Sequence, residues 1–165
     1  MAHPYLRRQF GRIHRSRFDA LRELRAPQPC DIEPDWNEDN RQSLAQFIGA
    51  VNKGQHASLC LVCQAEQALS FTLSEIAVHT EKTLMRVYTP LWLRQYHKQP
   101  DSNLQRLLAD AEAGQQILYF DEADALFQVD GSLQWPRDFA KARCGLVFRC
   151  QWLPNQASQF DGLIQ

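Results

Sequence analysis

Between residues 57 and 149 the chain alternates short apolar runs with helical stripes, and this alternation restricts its fold more than any other feature. Four runs, Ala57 to Val62, Leu84 to Tyr88, Ile117 to Phe120 and Gly145 to Arg149, have the length and apolar continuity of strands buried on both faces. Leu69, Leu73, Ile76 and Ala77 make one helical stripe between them. Leu104, Leu107, Leu108 and Ala111 make another, behind the capping signal Asp101-Ser102 and ahead of Gly114. A last helix is expected around Pro136 to Ala142. Upstream, Leu44, Phe47, Ile48 and Val51 fall at i, i+3, i+4 and i+7, which predicts an amphipathic helix stopped by Asn52-Lys53-Gly54. Strands separated by crossover helices predict a three-layer α/β domain with a partial parallel sheet of about four strands, because right-handed crossovers cover both faces.

The chain has 165 residues, of which 44% are hydrophobic, so one core is affordable and a second full domain is not. Three prolines, Pro27, Pro29 and Pro34, remove backbone donors and mark a linker. The expected division is a basic helical arm with its linker over 1–34, and the α/β domain over 35–165. The arm reads as one or two helices from Arg7 to Arg25, carried by Phe18, Leu21 and Leu24. A formal charge of −1 conceals an asymmetry: Met1 to Ala26 holds seven arginines against Asp19 and Glu23, a net of +5, and the rest sums to −6. Such clustered guanidinium groups suit nucleic acid, an anionic membrane or an acidic face of a partner; the plainer reading is a solvated helix. No apolar run approaches the ~20 residues of a membrane span, and MAHPYLRRQFGR lacks the apolar centre of a signal peptide, so a cytoplasmic chain is expected. The five cysteines, Cys30, Cys60, Cys63, Cys144 and Cys150, are expected as reduced thiols. Cys60 and Cys63 have CxxC spacing, but on a strand they face opposite ways, so no shared metal is expected.

The segment that carries chemistry is Ile117-Leu118-Tyr119-Phe120-Asp121-Glu122-Ala123-Asp124-Ala125-Leu126-Phe127. Ligands of parallel sheets gather outside the carboxyl ends of the strands, where Asp121 and Glu122 fall. An Asp there can hold magnesium, and the next Glu can orient or deprotonate water for attack on a phosphate. The alternative is that both acids cap the following turn, where a helix dipole favours negative charge.

The wider stretch SNLQRLLADAEAGQQILYFDEADALF, Ser102 to Phe127, resembles the second half of the nucleotide-binding core of the AAA family of ATPases. There a helix of the form NLxxLFxxAE, matched by Asn103, Leu104, Leu107, Ala111 and Glu112, leads into the Walker B strand. The resemblance covers Ser58 to Asn155 and implies a P-loop NTPase-like sheet, with Asp121 as magnesium ligand and Glu122 as the catalytic carboxylate that orients or deprotonates water. The family's phosphate loop, hhhhGPPGTGKT, falls on Leu61 to Ser70. Its glycines align with Cys63 and Ala68 and its lysine with Leu69, and only Ser70 keeps a hydroxyl at the magnesium-ligand position. Glu66 adds a negative charge where a triphosphate would sit. Like charges at ~4 Å cost on the order of 1–4 kcal/mol in a screened site, enough with the lost lysine to move micromolar affinity toward millimolar. Gly145 to Cys150 resembles the family's sensor strand, whose Asn aligns with Trp152, with Gln151 the nearest substitute. Leu91 to Tyr96 occupies the place of the family's pore segment; read from its residues alone, it packs aromatics under a loop. A fifth strand and a helical lid are not expected before Gln165.

The resulting expectation is a pseudoenzyme: a degenerate AAA-like domain that does not hydrolyse ATP and serves as a binding or regulatory partner of a larger assembly. Its partner would be an intact ATPase or further copies of itself, and no cofactor is expected. The enzyme alternative is an AAA-type ATPase with an atypical loop, in which Ser70, Asp121 and Glu122 hold magnesium and water around ATP. A third reading is a nucleic-acid adaptor working through the amino-terminal arginines.

Overall fold

A computed structural model describes residues 22–25, 30, 32–62, 65–96, 98–127 and 135–165. The elements run β1 (Arg22–Arg25), α1 (Glu38–Asn52), β2 (Ala57–Val62), α2 (Glu66–Thr80), β3 (Thr83–Tyr88), α3 (Thr89–Tyr96), α4 (Pro100–Ala113), β4 (Gln116–Asp121), β5 (Gly145–Cys150) and β6 (Gly162–Ile164). Short 3-10 segments lie at Ala123–Phe127, Arg137–Phe139 and Ala157–Gln159. One sheet takes the order β1-β3-β4-β5-β2-β6. Strands β2 to β6 are parallel, and β1 lies antiparallel along β3.

The two faces of the sheet follow from the two-residue side-chain period. Ile117 and Tyr119 of β4, with Leu59, Leu61, Leu84 and Val147, meet Leu44, Phe47 and Val51 of α1 and Leu69, Leu73 and Ile76 of α2. Leu118 and Phe120, with Cys60, Val87, Leu146 and Phe148, meet Trp92 of α3 and Leu104, Leu107 and Leu108 of α4. The central strands are therefore apolar on both faces, as a parallel sheet between helical layers requires. Gly145 allows α1 to lie close: a Cβ there would stand 2.9 Å from Val51 Cγ2.

On the α3/α4 face the core is aromatic. Phe148 stacks on Phe120 at 5.0 Å with the rings nearly parallel. Trp135, Phe139, Phe160 and Phe127 surround it at 4.9 to 6.0 Å. Offset stacks and edge contacts of this kind add to the area each ring buries. Burial pushes the Cys144 thiol up to about 12, with the nearby Glu112 charge acting the same way. The Cys60 hydrogen bond and burial also push the Cys150 thiol up. Cys30, Cys60, Cys144 and Cys150 are free thiols.

Several expectations need correction. Residues Arg22–Arg25, read as part of a helical arm, form a strand. The edge of β3 offers unpaired amides and carbonyls, and pairing them outweighs local helix preference. The rest of the arm, residues 1–21, lies outside the described residues. The segment after Pro90, read as polar chain and loop, is helix α3: Pro90 sits in its first turn, where a missing N–H costs nothing. The helix expected around Pro136 to Ala142 is a single 3-10 turn at Arg137–Phe139, too short a piece of chain to propagate an α-helix.

The parallel strands number five, not about four, because β6 forms before Gln165. It pairs in parallel with β2, and side chains pin the chain on either side of it. Asn40 Nδ2 donates to the Gln165 carbonyl at 2.8 Å, and the Gln165 amide donates to Asn40 Oδ1 at 3.2 Å. Asp161 accepts from the Ser58 amide at 2.9 Å, and the Asp161 amide donates to Ser58 Oγ at 3.0 Å. Among the described residues no helix is long and apolar enough to cross a membrane.

Phe148→Ala removes the ring that all these neighbours share and should lower stability in urea unfolding by about 3–5 kcal/mol. Leu91→Ala, at a site 49% exposed, should change it by less than about 0.5 kcal/mol.

Candidate functional site

Adjacent parallel strands whose chains leave to opposite faces open a crevice at their carboxyl ends. Strand β2 leads into α2 on one face, whereas the segment following β5 brings Phe160 to the other. Beside that crevice, over the carboxyl ends of β4 and β5, a cleft of about 580 Å³ is lined by Pro90, Asp121, Glu122, Asp124, Ala125, Arg149, Gln151 and Trp152. A smaller recess of about 230 Å³, lined by Arg86, Tyr88, Pro90, Leu91, Asp121 and Glu122, continues it toward β3.

The cleft floor is a row of charges across three strands. Tyr88 and Asp121 pair in register, as do Phe120 and Phe148, so Arg86, Asp121 and Arg149 share one face of the sheet. The Asp121 side chain is only 4% exposed. Its Oδ2 accepts from Arg86 Nε at 2.9 Å and from Arg86 Nη2. Its Oδ1 accepts from the Glu122 amide at 3.0 Å and from Arg149 Nη1 at 3.5 Å. Arg149 Nη2 reaches Glu66 in the first turn of α2 at 3.2 Å. Arg86 also donates to the Tyr88 hydroxyl at 3.1 Å and lies over that ring.

Burial pulls the Arg86 guanidinium down, and the hydrogen bond and charge of Asp121 more than offset it, so its pKa stands above the ordinary value. Arg149 is raised in the same way: burial lowers it, and Tyr119, Asp121 and Glu66 raise it further. Both cations therefore keep their charge across the whole range in which proteins are studied.

The other two acids have different tasks. Asp124 accepts from the Gln151 amide at 2.9 Å and the Trp152 amide at 3.2 Å, and so clamps the chain leaving β5. Glu122 is exposed and holds a left-handed backbone with φ of 51°, a conformation that costs a side chain about 1–2 kcal/mol. This turn aims its amide at Asp121.

Of the residues singled out from sequence, Asp121 and Glu122 line the cleft; Ser70, on α2, is not among the described residues that do. Leu69, at the lysine position of the resemblance, is fully buried in the core. Glu66 already begins α2, leaving three residues between it and the end of β2; Cys63 and Gln64 lie outside the described residues. These residues do not fit magnesium or a triphosphate. A carboxylate has about four lone-pair positions, and Asp121 engages two N–H groups of Arg86, one of Arg149 and one backbone amide. Among the described residues no three His, Cys, Asp or Glu side chains are placed to hold a metal ion.

Arg86 and Arg149 are the site residues that sequence reasoning missed. Their signal was present, since each is a lone charge inside an apolar strand, in TLMRVY and GLVFRC, and a charge there requires a partner. No family model and no curated protein matches this sequence.

Asp121→Asn would keep the shape of the side chain while leaving two half-buried guanidinium groups without their counter-charge. Urea unfolding should show a loss of about 3 kcal/mol, whereas replacing all three residues together, Asp121→Leu with Arg86→Met and Arg149→Met, should recover most of it. A single variant within about 0.5 kcal/mol of the parent would contradict this account.

Proposed function

We propose that the chain is a degenerate AAA-like, P-loop NTPase-like domain that does not hydrolyse ATP and acts as a binding or regulatory partner of a larger assembly. The observation carrying this reading is the closure of Asp121 on Arg86 and Arg149. The acid that would hold the nucleotide's magnesium is consumed inside the protein, and the cations are consumed with it.

Two further features support it. Strands β2 and β4 run parallel in one sheet, so their carboxyl ends lie on the same side, an arrangement compatible with the sequence resemblance. At the bend after β2 the lysine position is an interior leucine, and Glu66 presents a carboxylate 74% exposed. A phosphate cradle works through converging amides and a cation, and this one would meet a negative charge.

What the cleft offers is a surface for recognition. Trp152 and Leu153 are 66% and 52% exposed, and Asp124 accepts from the backbone amides of Gln151 and Trp152. Aromatic anchors fixed beside charged groups are what protein interfaces use as points of strong contact.

Titration of the purified chain with a fluorescent ATP analogue and magnesium tests the reading. Binding should fail to saturate below about 1 mM, a standard affinity near −4 kcal/mol; saturation in the low micromolar range would overturn it.

A further inference from the structure

Among the charged side chains that line the cleft and its adjoining recess, one has no partner within the described residues. Arg86 and Arg149 are held by Asp121, and Arg149 also by Glu66. Asp124 accepts from the amides of Gln151 and Trp152. Glu122 is different. Its amide serves Asp121, but its carboxylate makes no hydrogen bond or ion pair with a described residue, is exposed, and borders both the cleft and the recess. A left-handed backbone with φ of 51° keeps it there against a local penalty.

A second side chain on the same cleft is also left over. Trp36, Trp92 and Trp135 each pack against a phenylalanine ring. Trp152 meets no aromatic ring among the described residues and stands 66% exposed, although its amide is held by Asp124. The strands that deliver Glu122 and Trp152, β4 and β5, are neighbours in the sheet, roughly 5 Å apart.

Charge decides what can enter. An anion, whether a phosphate, a nucleic acid or an acidic peptide, would face Glu122 with both arginines already engaged. A neutral apolar group would strip water from the Glu122 carboxylate and give it no partner in exchange. A cation gains on both sides, from the indole face and from the carboxylate. Of the cations, a guanidinium suits the pair best, because its flat face stacks on a ring while its edge donates to a carboxylate; an ammonium is a strongly hydrated point charge. Next to the cleft, the recess of about 230 Å³ presents Pro90 and Leu91, a wall for an apolar neighbour of that arginine.

We infer that the cleft receives an arginine-bearing segment of a partner protein, with the guanidinium between Trp152 and Glu122 and an adjacent apolar side chain toward Leu91. The inference rests on the proposed reading of the cleft as a recognition surface that holds no nucleotide, and it names the chemistry of the partner.

The test follows the isotope-labelled full chain by NMR during titration with two probes, acetyl-Ala-Leu-Arg-Ala-amide and the same peptide with citrulline, which keeps the shape of arginine without its charge. The arginine peptide should shift the Trp152 indole N–H and the Glu122 amide together and saturably. It should bind about tenfold more tightly than the citrulline peptide, as a cation–π contact and an exposed ion pair combined would give. Both side chains are exposed, so Glu122→Gln and Trp152→Ala should keep the dispersion of the core amides; each should reduce the preference to about twofold. Equal binding of the two peptides, no saturable shift at those two groups up to about 10 mM peptide, or a preference that survives Glu122→Gln would overturn the inference. So would a Trp152 signal that moves with protein concentration alone, which would assign the cleft to a second copy of the chain. An ATP analogue with magnesium, added without peptide, separates the two readings. Saturation at micromolar nucleotide refutes the nucleotide-free cleft, whereas silence toward both nucleotide and peptide refutes only the arginine-bearing partner.

Discussion

A carboxylate buried beneath a sheet must find opposite charge at close range, and in this chain Asp121 finds it twice. Arg86 and Arg149 approach from the strands on either side, so the three side chains tie β3, β4 and β5 together at their carboxyl ends. Glu66 extends the row to α2. Such a set contributes little net stability compared with a well-packed apolar one, but loses much when one member is removed. It also fixes register. Sliding one strand by a residue would turn its charge to the opposite face and leave the partners bare.

The same row decides what the cleft can do. A magnesium-holding Asp needs open lone pairs, and this one has none to offer. A phosphate site needs free cations or converging amides; here the cations are held by the protein's own carboxylates, and Glu66 begins α2 only three residues beyond β2. What remains outward is a rim: Glu122 on its left-handed turn, Trp152 with its amide held by Asp124, and Leu91 in the adjoining recess. Under the proposed reading, recognition by that rim would need no chemistry from Asp121, whose ion pairs join the strands beneath it.

Much of this architecture was legible in the residue pattern. The four long strands and helices α1, α2 and α4 follow from apolar periodicity, because each element buries enough side chains to impose its own repeat. What was not legible are elements whose existence depends on something distant. Strand β6 is only Gly162–Ile164; it pairs with the edge of β2, and side chains of Asn40, Ser58 and Asp161 pin the residues on either side of it. Strand β1 follows from the unpaired edge of β3, and α3 was hidden by a proline that reads equally as a breaker or as a first-turn residue. At the site, Asp121 was visible from its place after an apolar run. Arg86 and Arg149 stood out only as lone charges in apolar strands; that Asp121 is their partner was not legible, since pairing across strands is a matter of register, which sequence does not print. Glu66, read as a repellent for phosphate, is also the partner of Arg149.

The central claim is that Asp121 is saturated by its own protein and so closed to divalent cations. Titration with Mn2+, followed by paramagnetic broadening of backbone amide signals, tests it directly. The account predicts no selective broadening at the amides of Glu122 and Gln151 up to about 1 mM Mn2+, a concentration at which sites worth −4 kcal/mol fill halfway. Saturable loss of those two signals at micromolar metal would contradict it.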